Sequence, residues 1–216
     1  MAKYIPIMMK AEGLRCVVIG GGPVAERKTL ELLRSGADIK LISPSVTGPL
    51  NQAAQEGSLI WYNRTFREGD LQGASLVYAT TDQAEVNERV AREAGQLGVP
   101  VNISGPGLGG TFISPSVVRR GDLIIAVSTS GAGPAVSARI SREIDQSYGD
   151  EYEMYIDFLS RVRDVVKSTV HDGARRRKLL KAAAEMDILS DIRSGVFKPW
   201  SEQQIEAWIK GNESYN

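Results

Sequence analysis

The sequence predicts an α/β protein: a parallel sheet with helices on both faces in the first half, then a mostly helical second half. Three observations predict it. Short β-rich runs punctuate residues 4–127, amphipathic stretches fill three of the gaps between them, and strand signal nearly vanishes from about residue 134.

The strand runs are CVVIG at 16–20, IKLIS at 39–43, LIWY at 59–62, LVYAT at 76–80, PVNIS at 100–104 and LIIAVS at 123–128. Helical pattern covers residues 24–35, 45–56 and 85–98. In the first of these Leu30, Leu32 and Leu33 share a face with Val24 and Ala25, while Arg27, Lys28 and Glu31 are expected to face away. Gly36 then stops the helix at the position that favours a left-handed residue. Strand–helix–strand at this spacing implies parallel pairing, because parallel strands need crossover connections. LIWY, with only a brief polar connection after it, reads as an edge strand. Residues 135–148, 151–169, 174–185 and 202–210 read as helices, and Ile156, Leu159, Val162, Val166 and Val170 keep the spacing of a buried stripe. Gly149 and Asp150 suggest a hinge. Trp200 and Trp208 are expected to anchor the core of the tail, with Met186 packing beside them. GPGLGG at 105–110 and STSGAGP at 128–134 are the two glycine-rich loops.

Composition narrows the function classes. The 216 residues are 42% hydrophobic and 24% charged, which supports a packed core. Twenty-six basic side chains balance 26 acidic ones, so no global field favours nucleic acid. A single cysteine, Cys16, excludes an internal disulfide framework and fits a reducing compartment; the single histidine, His171, cannot build a His-rich metal centre. No apolar run is long enough to cross a bilayer, and MAKYIPIMMK lacks the features of a signal peptide. The expectation is a cytoplasmic protein with neither membrane nor nucleic-acid partner and no resident metal.

The sharpest motif is VVIGGGPVAERK. Gly20, Gly22 and Ala25 complete G-x-G-x-x-A directly after a strand and at the mouth of a helix. Gly20 permits the tight turn, Gly22 lets a diphosphate reach the backbone, and Ala25 lets helix and strand pack closely. Free N–H groups at the helix start then face the anion. The pattern predicts dinucleotide binding in a Rossmann-like domain; a bare structural turn is the alternative. An acidic residue is expected about 20 residues on, at the tip of the second strand. Here that tip is Ser43, followed by Pro44, so Ser43 is the candidate partner of the ribose hydroxyls. No arginine follows to hold a 2′-phosphate, which favours NAD over NADP. Ligands in open parallel sheets bind at the carboxyl ends of strands. That rule nominates Thr80 and Thr81 for ribose or nicotinamide contact, with Thr81 or Asp82 capping the next helix as the alternative; Asp82 is read as the cap.

With these segments in hand, the chain resembles the precorrin-2 dehydrogenase and sirohydrochlorin ferrochelatase family, the N-terminal module of siroheme synthase. The residues carrying the likeness are GGGPVAERK (20–28), ATTDQAEVN (79–87), VN (101–102) and the block FISPSVVRRGDLIIAVSTSGAGPAVSARISREI (112–144). That block is more specific than the glycine motif. The resemblance implies an NAD-binding domain over residues 1–113, a central dimerisation segment over 114–149 and a small helical C-terminal domain over 150–216 that helps form a tetrapyrrole cleft. It implies a homodimer that removes two hydrogens from precorrin-2 with NAD to give sirohydrochlorin, after which some relatives insert iron. Carried over by position, the cofactor residues are Gly20, Gly22, Pro23, Val24, Ser43, Pro44, Thr80 and Thr81, and Asn102 is assigned to the substrate. The family's usual catalytic aspartate falls on Gly105. Hydride transfer depends chiefly on orientation, whereas metal insertion needs a group that takes the pyrrole protons. The chain is therefore read as the dehydrogenase, with chelation the activity that Gly105 argues against. A non-enzymatic NAD-sensing module and a tetrapyrrole chelatase without redox activity are the competing readings.

A polycarboxylate substrate of that kind requires a cationic surface. Residues 161–181 carry eight basic side chains against Asp164 and Asp172, a local +6 in a neutral protein. Arg175 and Arg176, with Arg119 and Arg120 nearer the STSGAGP loop, are the candidates, since guanidinium groups bond both oxygens of a carboxylate. Arg161 and Arg163 read as a solvated helix face. Ser128 is a candidate ligand contact, against a plain strand-to-helix turn capped by Thr129 or Ser130. Ser128 and His171 are the remaining candidates for catalysis, His171 also reading as a surface residue.

Overall fold

The computed structural model describes residues 4–105 and 110–212. The chain divides into two units, Met1–Ser114 and Pro115–Asn216.

The first unit runs β1 (Arg15–Ile19), α1 (Pro23–Arg34), β2 (Asp38–Ile42), α2 (Gly48–Gln55), β3 (Ile60–Tyr62), β4 (Leu76–Ala79), α3 (Ala84–Leu97) and β5 (Val101–Ile103). All pairings are parallel and the strand order is β3-β2-β1-β4-β5, so the order reverses beside β1 and β3 is an edge, as LIWY predicts. The strands are nearly continuous apolar runs because both faces are covered. Alternation sends Cys16, Val18, Leu41 and Tyr78 to the face packed by Ala25 of α1 and Leu50 of α2. It sends Val17, Ile19, Ile42, Val77 and Ala79 to the face packed by Val90 and Ala94 of α3. Pro23 opens α1, and Gly36, at φ +82°, follows its C-cap Ser35.

Three expectations are corrected here. The stretch between β3 and β4, residues 63–75, is longer than a brief connection and is internally braced. Arg64 forks onto Asp70, each guanidinium nitrogen 2.7 Å from a carboxylate oxygen, and the Arg67 N–H adds a bond of 2.8 Å. Buried Glu93 on α3 accepts the N–H groups of Gly69 and Leu71 at 3.0 and 3.2 Å. Val24 is not on the packed face but 40% exposed. Lys28, expected to face away, is half-buried: its Nζ donates to Ser114 Oγ at 3.1 Å and stands 5.1 Å from the centroid of the Tyr78 ring. Burial, helped by Arg27 and opposed by Glu31, lowers its pKa to about 8. The same burial pushes the Tyr78 hydroxyl up to about 12.

The second unit contains β6 (Ser116–Arg120), β7 (Leu123–Val127), α4 (Pro134–Ser147), α5 (Glu151–Thr169), α6 (Gly173–Glu185), α7 (Ile188–Arg193) and α8 (Glu202–Gly211). The 123–128 run does not continue the parallel series; β7 pairs antiparallel with β6 in a two-stranded hairpin turned at Gly121, φ +53°. Arg120 is ion-paired to Asp145 at 2.8 Å and Asp150 at 3.3 Å. The predicted stripe on α5 supplies Val162, Val166 and Val170 to the helical core. Phe158 meets the rings of Phe197 and Trp200 edge-on, Trp200 lies 6.4 Å from Trp208, and Met186 packs at the margin. Arg161, read as solvated, donates to the Trp200 carbonyl at 2.7 Å. Asp172 caps α6 and a Ser201–Gln204 capping box starts α8. No described helix is long and apolar enough to cross a membrane.

Two stability tests follow from this packing. Burial alone would raise the Asp70 carboxyl, but the hydrogen bonds from Arg64 and Arg67 and the charges of Arg64 and Lys40 outweigh it and hold it below the usual range. Asp70→Ala should lower stability in urea unfolding at neutral pH, because it removes the buried carboxylate that braces the loop through Arg64 and the Arg67 N–H. Its contribution should be full above roughly pH 4, where an unfolded aspartate is ionised, and fade as pH falls through the depressed folded value. Lys28 gives a slope of the same sign in an alkaline window, because its pKa is also lowered on folding. Between its folded pKa of about 8 and the unfolded value near roughly 10 the unfolded chain binds the extra proton, so stability rises with pH across that window. Unfolding midpoints of the wild type should climb there relative to those of Lys28→Met.

Candidate functional site

The carboxyl ends of β1, β4 and β2 converge on the glycine turn. The Gly20 N–H donates to the Ile42 carbonyl at 2.9 Å, and the Ile19 carbonyl accepts both the Thr80 N–H at 2.8 Å and the Thr80 hydroxyl at 2.9 Å. Gly20 adopts φ +115°, and a Cβ on it would stand 2.9 Å from the Thr80 carbonyl and hydroxyl. Gly21 is still tighter. A Cβ there would collide with the Ser45 carbonyl oxygen and approach Ser43 Oγ to 2.8 Å and Val46 Cγ1 to 2.9 Å, while the Gly21 carbonyl accepts the Thr47 N–H at 3.0 Å. Gly22 differs from both: a Cβ would meet nothing within 4 Å. It is the N-cap of α1 with no side-chain cap, and Gly22, Pro23 and Val24 are all exposed. Two glycines thus let the turn close against its neighbours, and the third presents the uncapped end of α1 to solvent. An uncapped helix start with its partial positive charge is suited to a diphosphate, so these residues fit a dinucleotide.

The polar candidates around this turn are largely engaged. Ser43 is buried and its hydroxyl donates to the Ser45 carbonyl at 2.6 Å, leaving its oxygen only as an acceptor; Pro44 is exposed beside it. Thr80 is buried against Gly20. Thr81 Oγ1 lies 2.8 Å from Asn87 Oδ1 and accepts the Gln83 N–H at 3.2 Å, and Asn87 Nδ2 returns a bond to the Thr81 carbonyl. Gln83 is the N-cap of α3, so Asp82 does not have the capping role expected of it. The reason is that the Thr81–Asn87 pair already closes this turn. Asn102 is buried and its amide donates to the Phe112 carbonyl at 3.0 Å, pinning the returning chain to β5. Gly105 is exposed at φ +136° with open space around it. Of the GPGLGG loop, residues 106–109 lie outside the described residues.

The second unit holds the remaining candidates. Ser128 is exposed and its hydroxyl accepts the Ser130 N–H at 3.1 Å; Ser130 is left-handed at φ +53°, and Thr129 Oγ1 accepts the Gly133 N–H at the head of α4. Arg119 is exposed on β6, whereas Arg120 is held by Asp145 and Asp150. Arg175 and Arg176 are half-buried in the first turn of α6, and guanidinium nitrogens of Arg176 and Arg177 lie 3.9 and 3.8 Å from where a Cβ on Gly173 would stand. His171 is exposed in the link between α5 and α6. A shallow groove in this unit is lined by Ile156, Leu159, Arg163, Leu180 and Ala183, among others. Among the described residues no three His, Cys, Asp or Glu side chains cluster as a metal site. Sequence reasoning missed Gly21, which occupies a variable position of the motif. The run of three glycines was the signal that could have found it.

Comparison with known proteins agrees with this geometry. Residues 7–116 match the family described as "Putative NAD(P)-binding", residues 120–147 match "Sirohaem biosynthesis protein central", and residues 152–193 match "SirC C-terminal domain". A siroheme synthase of Nitrosospira multiformis is 32% identical over 211 residues, covering 94% of this chain and 44% of that protein. One of Methylobacillus flagellatus is 36% identical over 173 residues, covering 80% and 37%. The chain thus spans less than half the length of these relatives. A solved structure described as SirC, precorrin-2 dehydrogenase superposes with a TM-score of 0.79 at 25% identity, covering 96% of this chain and all of that one. With an open glycine turn at the switch point of a parallel sheet and matches running through both units, the chain belongs to the SirC/precorrin-2 dehydrogenase family, with an NAD(P)-binding domain of the siroheme synthase type.

Proposed function

We propose that the protein is an NAD-dependent precorrin-2 dehydrogenase, removing two hydrogens from that reduced tetrapyrrole to form sirohydrochlorin. The observation that carries this is the split among the three glycines, with Gly20 and Gly21 packed shut and Gly22 open at the uncapped start of α1. A bound nicotinamide dinucleotide supplies the two-electron acceptor. The chain's own contribution is to fix the diphosphate at Gly22, Pro23 and Val24 and to set the ring's direction by the tips of β2 and β4. NAD is preferred to NADP because the Ser43 tip carries no cation for a 2′-phosphate.

The helical unit supports the substrate assignment. Guanidinium nitrogens of Arg176 and Arg177 lie 3.9 and 3.8 Å from a Cβ position at Gly173, and the start of a helix also favours an anion. Arg175 and Arg176 are the residues we assign to the tetrapyrrole carboxylates, with Arg119 and Ser128 as further contacts. We place the homodimer contact in residues 114–149, where Ile124 and Val136 are 36% and 43% exposed. Residues 1–113 and 150–216 are then the cofactor and helical domains, and the enzyme is assigned to the cytosol.

The direct experiment mixes the protein, NAD and precorrin-2 made in situ and follows NADH absorbance together with the spectrum of sirohydrochlorin. Both should appear; absence of both rejects the reading. Two glycine variants separate fold from ligand. Gly22→Ala should leave the unfolding midpoint within about 0.5 kcal/mol of wild type while weakening NAD in calorimetry by about tenfold or more. Gly21→Ala should instead destabilise the protein by about 1–3 kcal/mol through overpacking.

A further inference from the structure

The strand order puts β1, and with it the glycine turn, between β2 and β4. A diphosphate held at the start of α1 therefore has one nucleoside toward each neighbouring strand tip. The tip of β2 is the side on which sheets of this kind meet the adenosine ribose. That leaves the tip of β4 to the nicotinamide nucleoside.

Thr80 and Thr81 form that tip, and their polar groups can be accounted for one by one. Thr80 is 8% exposed, and its N–H and hydroxyl both go to the Ile19 carbonyl, at 2.8 and 2.9 Å. The N–H, carbonyl and hydroxyl of Thr81 all meet one side chain, that of Asn87, which is 2% exposed on α3. Asn87 Oδ1 accepts the N–H at 3.3 Å and the hydroxyl at 2.8 Å, and its Nδ2 donates to the carbonyl at 2.9 Å. One group is left over. The Thr80 carbonyl oxygen accepts no hydrogen bond among the described residues. It lies against the glycine turn, 2.9 Å from where a Cβ on Gly20 would stand. A main-chain acceptor in so buried a residue calls for a donor.

The Thr80 carbonyl and the Thr81 N–H belong to the same peptide unit. That unit is planar and trans, so its C=O and N–H point in opposite directions. Holding the N–H on Asn87 therefore turns the carbonyl away from α3 and toward the glycine turn. Resting on the dinucleotide reading above, we propose that Asn87 is a positioning residue for the cofactor: by holding the Thr81 N–H it aims the Thr80 carbonyl at a donor of the nicotinamide nucleoside, its carboxamide or a ribose hydroxyl. Asn87 itself touches no ligand. It acts through the peptide it orients.

Calorimetry with ADP, ADP-ribose and NAD divides the ligand, since ADP lacks the nicotinamide nucleoside and ADP-ribose lacks only the ring. Wild type is compared with Asn87→Ala, which removes every contact to Thr81, and with Asn87→Asp, which keeps an acceptor for the Thr81 N–H. In Asn87→Ala, NAD should weaken about tenfold, the scale of one hydrogen bond, while ADP binds as it does to wild type. A matching loss for ADP-ribose assigns the donor to a ribose hydroxyl, and a loss confined to NAD assigns it to the carboxamide; either supports the proposal. Asn87→Asp should keep the wild-type ratio of NAD to ADP affinity even where its unfolding midpoint falls, which decides the matter if the alanine variant does not fold. ADP weakened by the same factor as NAD overturns the proposal, because Asn87 would then brace the whole turn and aim nothing. Unchanged NAD affinity in folded Asn87→Ala overturns it too, as does a NAD-specific loss of that size in Asn87→Asp. Wild type that binds neither ADP nor NAD rejects the dinucleotide reading itself, before any variant is made.

Discussion

The first unit depends on backbone meeting backbone at Gly20 and Gly21. On one side of the turn stands Thr80, on the other the Ser43, Ser45 and Val46 stretch, each at distances that exclude even a methyl group. This contact draws the tips of β1, β2 and β4 together and sets the direction in which α1 starts. It also decides which polar groups are left for a ligand. The hydroxyls of Ser43 and Thr80 are spent on carbonyls within the turn, so the donors still facing outward there are main-chain N–H groups at the uncapped start of α1. Recognition through amides is insensitive to which side chains surround it. That explains how a strand tip ending in serine rather than an acid remains compatible with dinucleotide binding.

The basic residues divide by the work they do. Arg64 and Lys40 neutralise Asp70, Arg120 joins Asp145 and Asp150, Arg161 bonds the Trp200 carbonyl, and Arg193 bonds Glu151. These hold loops and helices in place. At the start of α6, Arg175 and Arg176 are half-buried where the helix presents positive charge, and Asp172 offsets part of that charge by capping the helix.

The α/β alternation and most helices were legible because their signals are local: apolar period, bounding glycines, and a proline or capping residue at the start. The edge position of β3 was expected from a brief connection after it; the edge is there, but the connection is the longer, braced stretch 63–75. β6 was not legible, since SVVRR is short and half-exposed and becomes a strand only by pairing with β7. α7 is a six-residue element stabilised by Ile188 in the helical core, too short for a period to show. Within the site, Gly20 and Gly22 were readable from spacing, but Gly21 is constrained by a loop more than twenty positions away in sequence. Lys28 was placed outward by helical period, whereas its long stem lets the amine reach Ser114 from a half-buried position. Asp82 resembled a cap because Asp often is one; the Thr81–Asn87 pair that displaces it is a contact no local pattern encodes.

Parts of the segments that carry the family resemblance lie far apart in the chain and pack together in the first unit, while residues 115–144 belong to the second. Lys28 from the glycine motif bonds Ser114. Tyr78, just ahead of the ATTD segment, meets Phe112 edge-on at 5.4 Å and lies beneath the Lys28 amine. Asn102 of the VN strand donates to the Phe112 carbonyl. The returning chain at residues 111–114 is therefore clamped by α1, β4 and β5 at once, and altering one partner disturbs the others, as expected for side chains in direct contact. The first-unit part of the signature thus reports how this unit closes on itself. Chemistry is set at neighbouring positions that the clamp leaves free, which is how a chain can keep the whole signature and still carry glycine at position 105.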